Sequence, residues 1–161
     1  MRILLLIPAF ALAACETLQT PATATAPGAA VTPAGAAAPA PTLDPTPPPR
    51  PPAAARTVDQ FDTTSAEDKA EALAVKADAP VKDLGTTLAT LGPPAEPGIW
   101  LKTPLVDALT KGRVSYNGKD ANVELRPSGG AAGSGSQISL AAMQTLGIPL
   151  TEIAEVSVSM E

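Results

Sequence analysis

Histidine is absent from this chain, and cysteine occurs once, at Cys15. Those two facts decide most of the chemistry open to it. Without imidazole there is no Ser-His-Asp triad, no Cys-His pair and no zinc site built on histidine. The commonest general acid/base at neutral pH is missing as well. A single thiol excludes any disulfide within the chain. Two other side chains are candidate ligand-binding residues. Trp100, the single tryptophan, either fills a core or stacks on a sugar ring. Arg126, at the end of an apolar alternation, either grips a carboxylate with its planar fork or sits solvated at a strand terminus. The loop Ser128-Gly129-Gly130-Ala131-Ala132-Gly133-Ser134-Gly135-Ser136 has backbone amides able to cradle an anion. It lacks the Lys-Ser/Thr sequel of a P-loop and reads as a plain flexible linker. No catalytic set, metal site or cofactor site emerges from these residues.

Cys15 has the most specific surroundings. Arg2 precedes an apolar run, Ile3 to Leu12, too short to span a bilayer, and Leu12-Ala13-Ala14-Cys15 closes it. This arrangement resembles the lipobox of bacterial lipoproteins. The resemblance implies cleavage before Cys15, a diacylglycerol on its thiol and an acyl chain such as palmitate on the new amine. Each methylene of such an anchor contributes about 0.8 kcal/mol on burial. Residues 1–14 are then a signal peptide, and the mature chain is held at the membrane by lipid rather than by a transmembrane helix. Glu16 is not the aspartate that retains some lipoproteins at the inner membrane. The expected location is therefore the periplasmic face of the outer membrane.

The formal net charge of −5, with no cluster of Lys and Arg, argues against nucleic acid as a partner. It equally disfavours direct electrostatic attachment to an anionic membrane. The 45% hydrophobic content largely reflects alanine, and aromatics make up only 2%, so a core must come from Leu, Ile, Val and Met. Such a core is modest and supports one small domain.

Four segments follow from the composition. After the signal peptide, residues 15–57 hold the lipidated cysteine and a Pro/Ala-rich linker. It stiffens into Pro45-Thr46-Pro47-Pro48-Pro49-Arg50-Pro51-Pro52, too poor in large apolar groups to fold. At ~3.1 Å per residue in polyproline II, about 40 residues reach on the order of 100 Å. The prolines serve as a spacer, or as a ligand for a partner's aromatic groove. Residues 58–83 form a short helical segment. Thr64 and Glu67 have capping-box spacing, Ala66, Ala70, Leu73 and Ala77 share a face, and Pro80 ends it. With one large apolar residue on that face, it reads as a spacer or lid.

Residues 84–161 form the folded domain. Leu84 to Gly92 reads as a strand, Pro93 to Gly98 as a loop, and Ile99-Trp100-Leu101 and Pro104-Leu105-Val106 as strand pieces. Asn117-Gly118 between Gly112–Tyr116 and Ala121–Leu125 predicts a hairpin with a type I′ turn. Val114 and Tyr116 share one face, as do Ala121, Val123 and Leu125. Ser139 caps a predicted helix, Leu140 to Leu146, with Leu140, Met143 and Leu146 inward and Gly147 at its C-terminal end. Val156 to Met160 alternates strictly and predicts a last strand.

This order of elements resembles a double-psi β-barrel, in particular that of the rare lipoprotein A family, outer-membrane lipoproteins that cleave peptidoglycan glycans. The residues are Ile138-Ser139-Leu140-Ala141-Ala142-Met143-Gln144-Thr145-Leu146-Gly147-Ile148, similar to that family's Ile-Asp-Leu-Ser-x-x-Ala-Ala-x-x-Leu-Gly. Val123-Glu124-Leu125-Arg126-Pro127 resembles its strand into Asn-Asp-Arg-Gly-Pro, and Leu101-Lys102-Thr103-Pro104-Leu105 its His-x-x-Leu-Pro. The resemblance covers roughly residues 84–160. It implies a mainly β fold with one or two short helices, a small double-psi-like barrel behind a disordered Pro/Ala-rich tether.

The departures from the family concern its chemistry. Its histidine has no counterpart here, and Pro127 stands near the place of its aspartate. Glycosidic cleavage then lacks its proton donor, unless a shifted alignment recruits Asp107 or Asp120. Short bacterial lipoproteins labelled galactarate dehydratase have a similar outline, but dehydration of a sugar acid needs a metal or strong base that these residues do not offer. The expectation is a non-catalytic lipoprotein whose barrel binds cell-wall glycan (peptidoglycan) or an envelope protein. A sugar-directed enzyme is the alternative.

Overall fold

The computed structural model describes residues 41–75 and 81–161. Cys15 and the expected signal peptide lie outside the described residues, as do Ala77 and Pro80. The elements are α1 (Val58–Phe61), α2 (Ala66–Leu73), β1 (Lys82–Leu91), β2 (Trp100–Thr103), β3 (Thr110–Tyr116), β4 (Lys119–Pro127), β5 (Ser136–Ile138), α3 (Leu140–Leu146) and β6 (Ala154–Met160). The six strands close into a barrel in the order β1-β5-β2-β4-β3-β6, with β6 returning to β1. Two neighbour pairs, β1–β5 and β2–β4, are parallel, and the others are antiparallel. Parallel neighbours cannot be joined by tight hairpins. The chain therefore crosses between them, giving the double-psi-like mixture. No helix among the described residues is long and apolar enough to cross a membrane.

Strand alternation fills the barrel. Leu101, Val114, Leu125, Ile138, Val156 and Val158 point inward and are fully buried. The α3 residues Met143 and Leu146 join the same cluster. Ser139 fixes this helix to the sheet: its hydroxyl accepts from Ala142 N at 3.2 Å and from Trp100 N at 3.1 Å. Gly147 ends α3 at φ 75°, which the left-handed C-terminal position favours. The hairpin turn has φ 48° at Asn117 and 77° at Gly118, with Tyr116 paired to Lys119. Both central residues are thus left-handed, as type I′ requires.

Four local expectations need correction. Pro104-Leu105-Val106 is a turn rather than a strand. Proline has no N–H for a ladder, and Thr103 Oγ1 accepts from Leu105 N at 3.3 Å, folding the chain back. β5, inside and just after the expected flexible loop, is a strand of three residues too short to show a period. The cap of α2 is Ser65 with Asp68, one residue beyond the expected Thr64–Glu67 pair. Asp62 Oδ1 accepts from Thr64 N at 3.3 Å, which turns the chain before the helix and shifts its start. The buried face of α2 carries Ala72, whereas Leu73 is 48% exposed. Alanine lets the helix approach β4 and α3 closely, while Lys69 pairs with Asp62 and donates to Gln144 Oε1 at 3.3 Å.

The end of the Pro-rich segment differs from a free linker. From Thr42 onward it lies against the barrel, and Ala55 is buried. The earlier part of the expected linker lies outside the described residues.

Candidate functional site

Two regions of the surface gather the candidate residues. The first is the outer face of β2 and β4. Their parallel register sets Trp100 beside Glu124 and Lys102 beside Arg126. Because alternate residues face outward, Trp100, Glu124 and Arg126 form one layer outside the barrel wall. Trp100 is fully buried nonetheless. Its Nε1–H donates to the Glu96 carbonyl at 3.3 Å, and the Arg126 guanidinium carbon lies 5.1 Å from its ring centroid. Gly92 lies against the ring: a Cβ there would stand 2.5 Å from Cη2, so this position admits no side chain.

Arg126 is enclosed by carboxylates of its own chain. Its Nε donates to Glu124 Oε1 at 2.6 Å and its Nη1 to Glu96 Oε1. Only 8% of the residue is exposed, so the guanidinium is desolvated and must be paired. Its fork grips carboxylates, as its chemistry suggested, but they belong to this chain. Glu124 carries a second set of bonds. Its Oε2 accepts from Thr42 Oγ1 at 2.8 Å and from Leu43 N. One carboxylate thus joins the Arg126 cluster to the Pro-rich segment. A cleft of about 500 Å³ runs between that segment, α2 and the strands, with Pro45, Pro48, Ala72, Ile99, Glu124 and Arg126 on its walls.

The second region surrounds the Gly-rich loop. The two stretches compared above with catalytic segments come together in the barrel wall, with Thr103 directly beside Pro127. Ser128 N donates to the Thr103 carbonyl at 3.0 Å, which draws the start of the loop over the end of β2. Next to them opens a wide depression of about 930 Å³ between β1, β5, Lys102 and the loop. Hydroxyls line it. Thr87 Oγ1 and Ser136 Oγ are 2.9 Å apart, and Thr86, Thr90, Ser128 and Ser134 stand around them. Leu88 and Ile153, 55% and 66% exposed, form its apolar rim. Lys102 and Glu155 are the charged residues on its lining.

Asp107 and Asp120 are not on the lining of this depression. Asp107 is exposed in the segment after β2, and Asp120, also exposed, accepts from Ser115 Oγ at the hairpin end of β4. Among the described residues no group of three or more Cys, Asp and Glu is placed to hold a metal ion. Sequence reasoning missed Glu96, Glu124 and Lys102. Period-two alternation, continued outward from Val123 and Leu125, was the signal that could have placed Glu124 beside Arg126. Comparison with family models, curated proteins and solved structures finds no match for this chain.

Proposed function

We propose that this chain is a non-catalytic envelope lipoprotein. In this reading acyl chains on Cys15 hold it at the periplasmic face of the outer membrane, and its barrel binds cell-wall glycan in the hydroxyl-lined depression. The observation that carries the reading is the composition of that depression. Hydroxyls such as those of Thr86 and Ser134, both exposed, offer donors and acceptors to sugar hydroxyls, and Leu88 and Ile153 suit the apolar face of a pyranose ring. Lys102 supplies a cation for a carboxylate carried on the glycan.

The same lining argues against cleavage. Glycosidases use two carboxyl groups a few ångströms apart, one of them a proton donor. Here Glu155 is the one carboxylate on the lining, and it is exposed to solvent. Pro127, near where the resemblance places the family's aspartate, ends β4 beside Thr103, and neither residue can serve as a proton donor of that kind.

Purified protein is expected to co-sediment with peptidoglycan and to release no anhydro-muropeptides from it. Release abolished by Asp107→Ala, Asp120→Ala or Glu155→Ala would establish an enzyme instead. Failure to co-sediment would remove the glycan reading and leave an envelope protein as the partner. The anchor is tested separately. Mass spectrometry of the mature N-terminus should find an acylated Cys15 followed by Glu16, and Cys15→Ser should release the protein from membranes.

A further inference from the structure

The segment from Thr42 to Arg50 crosses the outer face of the barrel and is held at few points. Thr42 Oγ1 and Leu43 N–H both donate to Glu124 Oε2, and Thr63 Oγ1 donates to the Pro49 carbonyl at 2.6 Å. Pro48 approaches Gly98, its Cδ 4.0 Å from where a Cβ would stand. No residue from Thr42 to Ala54 is buried. The surface beneath is different in kind. With the segment in place Trp100 is wholly buried and Arg126 is 8% exposed, and Arg126 holds Glu124 through Oε1, the oxygen that Thr42 and Leu43 do not use. A face braced by its own ion pairs therefore carries a chain attached at few points.

We propose that this face is a docking groove for an extended proline-rich segment, and that Thr42–Arg50 is its displaceable occupant in cis. Prolines fix φ and lack N–H groups, so such a segment enters already extended and loses little conformational entropy. The groove offers what that chemistry needs: apolar walls at Pro97, Gly98, Ile99 and Ala72, and one carboxylate for a hydroxyl and an N–H at the segment's start. The chain thereby supplies both the proline-rich ligand and the groove that receives it. Attachment in one chain gives an effective concentration of order mM, so weak contacts are enough to keep the segment seated at the groove's edge. A second segment of the same chemistry competes only when the Glu124 contact is loosened. This groove shares no lining residue with the hydroxyl-lined depression, so the proposal stands apart from the glycan reading.

The test uses the full chain carrying Cys15→Ser, with Thr42→Val or Glu124→Gln added, and a peptide of residues 41–56 as the probe. Backbone NMR order parameters at Leu43, Asp44 and Thr46 should fall from about 0.8 to below about 0.6 in both variants. The peptide should then shift the Gly98, Ile99 and residue-124 amides of the variants at ~mM concentration, and leave the unsubstituted chain unaffected. Order parameters that stay high in both variants, or are already low without them, overturn the latch. A loosened segment with no peptide-induced shifts overturns the groove. Thr42→Val alters only the segment, so it decides the matter even if Glu124→Gln fails to fold. Loss of the barrel fold in Thr42→Val would show that the segment is part of the domain and not displaceable.

Discussion

The two outer regions of this barrel differ in how much of their chemistry is already spent. Around Arg126, the cation meets two carboxylates and an indole, and little of it faces solvent. Around the Gly-rich loop, Thr86 and Ser134 border open space, Thr90 Oγ1 donates to the Ser136 carbonyl at 3.4 Å, and Lys102 is exposed. Sequence alone ranks Arg126 and Trp100 as the more promising pair. Their partners within the chain leave those two side chains little to offer a small ligand, whereas Thr86 and Ser134 on the plainer lining are exposed. A strong side chain is a poor guide to a site until its partners are known.

Substitutions can break this contrast at several depths. The largest effect is expected at Leu146, which is buried in the barrel's core cluster. Leu146→Asp places a charge where no partner exists, at a cost of several kcal/mol against a total stability of about 5–15. Loss of the cooperative thermal transition and of near-ultraviolet circular dichroism should follow. A folded Leu146→Asp barrel would mean that α3 does not complete the core.

Arg126→Ala should come next, destabilising by about 3 kcal/mol, because it strands Glu96 and Glu124 and uncovers Trp100. Denaturant unfolding followed by the emission of the single tryptophan measures both consequences. Arg126→Met, which keeps the apolar stem but still removes the charge, should recover part of the packing over the indole and none of the pairing. If Arg126→Ala costs less than about 0.5 kcal/mol, the ion pairs behave as surface pairs and the contrast between the regions fails.

What the sequence reveals follows the range of the forces involved. The Asn117-Gly118 turn and the Ser139 cap with its αL Gly147 are set within a few residues, and their motifs are legible. So are Val114, Val123, Leu125, Val156 and Val158, whose alternation points them inward. β5 is invisible because it has three residues and is defined by neighbours on both sides, β1 and β2. The bond between Thr42 and Glu124 spans 82 positions and depends on the closed barrel, so no local pattern announces it. The same holds for Arg126, whose partner Glu96 lies 30 positions away in a proline-rich loop. The residue type of Trp100 alone fits both a core and a stacking surface. Its neighbours Gly92 and Arg126 bury it.

At intermediate depth lies the hydroxyl pair of the open region. Thr87→Val leaves the buried Ser136 hydroxyl without this partner and should cost about 1 kcal/mol. Calorimetry reads that as a shift of a few degrees in Tm. If the depression binds glycan, the same variant should also reduce the fraction of protein that sediments with peptidoglycan.

The smallest stability effect is expected at Lys102, and for that reason it separates the two roles best. The side chain points outward from β2, is exposed, and belongs to none of the ion pairs around Arg126, although it is the register neighbour of that residue. Removing an exposed charge of this kind changes stability by at most about 0.5 kcal/mol. Lys102→Ala should therefore unfold with the parent protein while its co-sedimentation with peptidoglycan weakens and loses part of its salt dependence, because the cation on that lining is gone. Lys102→Arg should keep the charge and most of the binding. If Lys102→Ala binds as well as the parent while Thr87→Val does not, recognition rests on hydroxyls alone. If both bind normally, the depression is not where glycan is held.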